Sequence, residues 1–181
     1  MKELFIKYRN VVRFVLLFLG SYLLLSFGYA KYLNFSASGK CAPDFITHLV
    51  AQQSKWILEA FGYSAQLKHD ALGQGMLLIF NQSYTVSIVE GCNSISVIIL
   101  FFAFIIAFAE SFKKTILFLL AGAVLIYIVN LLRIVILVVA LYNFPQHKDI
   151  LHSVIFPGII YGIVFILWML WVKLLKPNSA K

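Results

Sequence analysis

Residues 115–142 read TILFLLAGAVLIYIVNLLRIVILVVALY. The run carries one charged side chain, Arg133, and one amide, Asn130, in an otherwise apolar stretch. A helix needs about 20 mostly apolar residues to cross a hydrocarbon core, and this run exceeds that. It predicts a transmembrane helix long enough to tilt or to project beyond the bilayer. Working outward, apolar runs at 11–30, 94–109 and 154–175 predict three more spans. The span at 94–109 is short and borrows a turn on either side. The expected fold is an all-α membrane protein, a single integral domain over 1–181 built as a bundle of about four transmembrane helices.

Composition supports this and closes other classes. Of 181 residues, 62% are hydrophobic and 12% are charged, about half the charge fraction of a soluble domain. Lipid must therefore solvate much of the surface. The net charge of +8 does not point to nucleic acid, because the basic residues sit at the ends of apolar runs rather than along one stripe. The two cysteines, Cys41 and Cys92, form no CxxC, and no HxxxH or HExxH occurs, so no metal or other cofactor is implied. His48, His69 and His147 are assigned no role.

Lys and Arg mark the cytoplasmic side of a membrane protein. Lys2, Lys7, Arg9, Arg13, Lys113, Lys114, Lys173, Lys176 and Lys181 all fall on one side of a four-span chain, whereas Lys31, Lys40, Lys55, Lys68 and Lys148 are spread thinly over longer loops on the other. Both termini are therefore expected in the cytoplasm, and 31–93 and 143–153 outside. An alternative makes the first run a signal peptide cleaved after Gly28-Tyr29-Ala30, which leaves the remaining topology unchanged.

The outer loop 31–93 is too long to be a bare connection. Pro43-Asp44 predicts a helix start, and Phe45, Ile46, Leu49, Val50, Ile57, Ala60 and Phe61 recur at helical spacing. This amphipathic helix is expected on the membrane surface or as a cap on the bundle. Residues 76–80 and 85–89 flank Asn81-Gln82-Ser83-Tyr84 and predict a β-hairpin. Its second arm leads into Glu90-Gly91-Cys92.

Polar residues inside or at the lip of a span are expensive and informative. Arg133 lies within the third run, one turn from Asn130, so both can face one side of the helix. No carboxylate lies within a span to neutralise it; Glu90 and Asp149 are at the lips. Cys92 opens the second span, flanked by Gly91, which permits close backbone approach, and by the polar Asn93, Ser94 and Ser96. A helix N-terminus favours the thiolate, the nucleophilic form of cysteine. A disulfide between Cys41 and Cys92 is the competing assignment. His152 opens the fourth span. A thiol, an imidazole and a guanidinium at one membrane level are the parts of an acyl-transfer site.

The segments Glu90-Gly91-Cys92-Asn93-Ser94-Ile95, Asn130-Leu131-Leu132-Arg133-Ile134 and His152-Ser153 with Phe156-Pro157-Gly158 resemble the exosortase/archaeosortase family. The resemblance covers roughly 86–175. It implies a membrane cysteine transpeptidase acting on membrane-anchored proteins with a C-terminal sorting signal, made of a short motif, a transmembrane helix and a basic cluster. Cys92 would be the nucleophile, His152 the general acid/base, and Arg133 the oxyanion or substrate-positioning group, with Gly91, Asn93 and Asn130 in support. The chain departs from the family pattern in two ways. Many members have Cys-Ser-Gly where this chain has Cys92-Asn93-Ser94, and many have about eight spans.

Other classes are a non-enzymatic membrane scaffold, with Arg133 paired to a partner's carboxylate, and a small transporter using Arg133 to hold an anion. An enzyme requires Cys92, Arg133 and His152 to converge; a scaffold does not, and a transporter does not need the thiol.

Overall fold

The computed structural model describes residues 8–38, 44–70 and 75–175. It is organised as a helical bundle capped at one end by a small layer of helix and sheet. In chain order, α1 (Arg9–Ser38), α2 (Phe45–Ala60), β1 (Ala65–His69), β2 (Met76–Phe80) and β3 (Tyr84–Ile88) are followed by a 3₁₀ turn at Glu90–Cys92. Then come α3 (Ile95–Ala107), α4 (Phe112–Asn143), a run of tight turns from Pro145 to Ile155, and α5 (Phe156–Leu175).

Three helical stretches are long and apolar enough to cross a membrane, at Arg9–Ser36, Phe112–Asn143 and Pro145–Leu175. The span expected at 94–109 is the apolar helix α3, whose 13 residues reach about 20 Å. It can be short because it is the central helix, packing against α1, α4 and α5. Phe101 and Ile105 of α3 are fully buried with Ile126 of α4 and Val164, Leu167 and Trp171 of α5. The approach to α4 is close at Gly122, where a Cβ would stand 2.3 Å from the tip of the Phe101 ring. A side chain there would push α3 off α4. Rings of α1 and α3 interlock too, Phe14 against Phe104 and Phe108. Gly28-Tyr29-Ala30 lies inside the continuous helix α1, not at its end.

The helix α4 has 32 residues, about 48 Å of helix against a core of about 30 Å. Its surplus length builds the capping layer. Leu131, Ile134, Val135 and Val138 of α4 are buried in one core with Val50, Ala51 and Leu58 of α2 and Met76, Leu78, Phe80 and Ile88 of the sheet. The helix α2 begins where the sequence places it, with Asp44 as N-cap, its Oδ1 accepting from the Ile46 and Thr47 amides at 3.0 and 3.2 Å. Pro43 lies outside the described residues.

The expected hairpin is present and belongs to a three-stranded antiparallel sheet of order β1-β2-β3. Its turn places Asn81 and Gln82 at φ 46° and 60°, the left-handed pair that brings twisted strands together tightly. The strand β1 is not evident from sequence, since Ala65-Gln66-Leu67-Lys68-His69 offers only two apolar residues. Those two turn inward on alternate positions, Ala65 buried and Leu67 half-buried. The sheet thus shows a clean period of two, with Met76, Leu78 and Phe80 facing the core.

Candidate active site

Cys92 closes the 3₁₀ turn that joins β3 to α3. Both of its backbone groups are fixed: its amide donates to the Val89 carbonyl at 2.8 Å, and its carbonyl accepts from Asn130 Nδ2 at 2.7 Å. Asn130 is fully buried, so this bond ties the cysteine turn directly to α4. The thiol is free.

Asn93 holds the other side of the turn. It is almost completely buried; its Nδ2 donates to the Tyr29 hydroxyl of α1 at 2.7 Å and to Thr47 Oγ1 of α2 at 3.2 Å. Its Oδ1 accepts from the Ile95 amide at 3.0 Å and so satisfies the first amide of α3. One amide side chain therefore joins α1, α2 and α3 beside the thiol. Ser94 then takes φ 63°, a left-handed conformation that costs about 1–2 kcal/mol for a residue with a Cβ. The Ser94 hydroxyl is buried and without a hydrogen-bond partner among the described residues. Gly91 is exposed, and a Cβ there would meet open space, so no internal packing requires that glycine.

His152 sits in a π-helical turn, Leu151–Ile155, where the Phe156 amide reaches back to the Leu151 carbonyl. Pro157 has no N–H to offer the carbonyls of Ser153 or His152, so the regular ladder cannot run through this point. Such bulges are frequent at functional sites because they re-aim one side chain.

Cys92 and His152 line the same cavity, about 250 Å³ in volume, together with β3, Lys148 and a wall of α4 that includes Ile134, Leu137 and Leu141. Arg133 is not among the lining residues, although its neighbour Ile134 and its i+4 partner Leu137 are. It is half-buried, and its Nε is buried without a hydrogen-bond partner among the described residues. It stands about 30 Å along α4 from the start of the helix, where α4 leaves the bundle for the capping layer.

Lys148, the strand β3 and the tether residues Tyr29 and Thr47 are site components that sequence reasoning did not single out. Lys148 had a signal, since it lies one helical turn before His152 and shares its face. Tyr29 and Thr47 had none, because each acts through a contact far away in sequence. Glu90, which opens the 3₁₀ turn that Cys92 closes, has its carboxyl pushed up, first by burial and then by the negative charge of Asp44. At the opposite end of the bundle, Glu110 and Lys114 line a separate hollow of about 390 Å³ against Trp171 and Leu175.

A helical bundle with three stretches long and apolar enough to cross a membrane defines the class: an integral membrane protein. A family model described as transmembrane exosortase matches residues 7–172, and the chain belongs to that family. The match reaches well beyond the 86–175 segment that carries the motifs, taking in α1, α2 and the whole sheet. No curated protein and no solved structure matches the chain. Membership supports a membrane transpeptidase role in general terms.

Proposed function

We propose that this chain is a cysteine peptidase or transpeptidase that cleaves C-terminal sorting signals of exported proteins near the outer face of the cytoplasmic membrane. The observation that carries the reading is that Cys92, just after β3, and His152, just before α5, line one cavity. The distribution of Lys and Arg supports cytoplasmic termini, with the capped end and its cavity outside.

In the proposed cycle the Cys92 thiolate attacks the scissile carbonyl, and the carbonyl π pair moves onto oxygen. Collapse of that tetrahedral adduct breaks the C–N bond, and His152 gives its proton to the departing amine. The product is a thioester on Cys92. An acceptor, water or another nucleophile, then attacks the thioester, yields its proton to His152 and releases the thiolate. Arg133 stabilises the oxyanion or positions the substrate carbonyl. A basic side chain, Lys148, also lies on the cavity wall.

The position of Arg133 outside the lining is the observation that favours a scaffold, in which a partner's carboxylate would pair with it. Replacing Cys92 by alanine separates the two. Processing of co-expressed exported proteins with a C-terminal membrane helix is followed by immunoblot in cells that retain normal levels of the variant. Accumulation of uncleaved precursor is expected; unchanged processing removes Cys92 as nucleophile and leaves the scaffold.

A further inference from the structure

The cavity is walled on one side by five consecutive residues of one strand, Tyr84 to Ile88. Side chains of consecutive strand residues point to opposite faces, so an unbroken run on one lining means that the strand presents its edge. Among the described residues β3 pairs with β2 alone, so its other edge is free.

The ladder also fixes which backbone groups that edge offers. The amide of Asn81 donates to the Ser64 carbonyl, and that of Asp70 donates to the Gly75 carbonyl. With the register of the first two strands, odd-numbered residues of β2 direct their backbone groups to β1. Even-numbered ones, Met76, Leu78 and Phe80, therefore bond to β3, opposite Ile88, Val86 and Tyr84. Thr85 and Ser87 are left to point both N–H and C=O away from the sheet, along the cavity edge. Neither makes a further backbone bond among the described residues.

We infer that β3 is the docking edge for the substrate: the segment just outside the substrate's membrane helix adds as a fourth strand, bonded to the backbone of Thr85 and Ser87. This rests on the proposed peptidase reading. Three observations select an extended peptide as occupant. An unpaired strand edge is a template for another strand. The strand leads within four residues to Cys92, so a paired peptide is delivered towards the thiol and His152. The facing wall, Ile134, Leu137 and Leu141, is apolar, so it accepts apolar side chains on alternate positions of the guest. The backbone supplies the affinity, and alternate side chains supply the specificity.

The test places proline at Thr85 and at Ser87, which removes an outward N–H without touching the ladder to β2. His69→Pro makes the same edit on the opposite edge of the sheet and serves as the control. Thr85→Pro and Ser87→Pro are each expected to slow precursor processing by about tenfold, with thermal unfolding in detergent close to that of the parent, while His69→Pro processes normally. If either variant fails to fold, cysteines placed at 85 and 87 in a chain lacking its own two cysteines are oxidised against cysteines walked along the precursor that accumulates when Cys92 is alanine. Strand pairing gives crosslinks at every second precursor position. Folded proline variants that process at the parental rate, or crosslinks without that alternation, overturn the proposal. Loss of processing in Cys92→Ala alongside either result would show that the peptidase reading survives while the docking edge fails.

Discussion

Replacing Asn130 by alanine removes the bond that fixes the nucleophile's turn to α4. Asn130 is 0% exposed and donates to the Cys92 carbonyl at 2.7 Å. Without it the carbonyl is left unpaired in a part-buried site, which costs up to about 1–3 kcal/mol. Part of this is offset, because the Asn130 Oδ1 is itself buried and without a partner among the described residues, and alanine removes it. The net expected loss is about 1–2 kcal/mol of stability. The effect on rate should be larger than that on stability, because a displacement of about 1 Å at a reacting group can cost about 100-fold. Asn130→Asp sharpens the test: it keeps the shape and puts an acceptor oxygen where the donor stood, so two oxygens face each other. The assay is precursor processing together with thermal unfolding of the purified protein in detergent. Asn130→Asp should be the more damaging of the two in both readouts. If both variants unfold and process like the parent, the bond does not hold the Cys92 turn and the reasoning fails.

Two further expectations concern the same turn. Ser94→Gly relieves a left-handed residue and removes an unpaired buried hydroxyl, against the backbone entropy that glycine brings, so a net gain of about 1 kcal/mol is expected; a lower melting temperature would refute it. Glu90 has its folded-state carboxyl raised by burial and by Asp44, so the folded state binds its proton more tightly than the unfolded chain does. Stability should therefore fall as pH rises from the ordinary glutamate range through the raised value, and level off above it. Glu90→Gln should remove that slope from a pH series of unfolding curves, and an unchanged slope would assign it to another group.

The correspondence between sequence and structure is closest where the signal is local. Asp44 caps α2 because a short polar acceptor before an apolar helical run is a start signal, and α2 runs Phe45–Ala60 close to the expected stretch. The hairpin arms fall within one residue of the runs that announced them. The strand β1 escaped because two buried apolar residues are too weak a period to stand out. The helix α3 is shorter than its apolar run suggested, since Phe108 and Ala109 leave the helix at its C-terminus.

Hydropathy and charge, which act residue by residue against the solvent, are enough to establish a membrane-embedded helical protein and to single out Cys92, Arg133 and His152 as polar groups at odds with lipid. Which of these meet is a long-range matter, decided by how α4 overhangs the bundle and packs on the sheet. That packing brings Cys92 to the cavity of His152, ties it to Asn130, and leaves Arg133 beside the lining instead of on it. The free edge of β3 has the same origin. A strand's composition can announce the strand, but only the order of strands in the folded sheet decides whether its backbone groups are already paired or remain open to a guest.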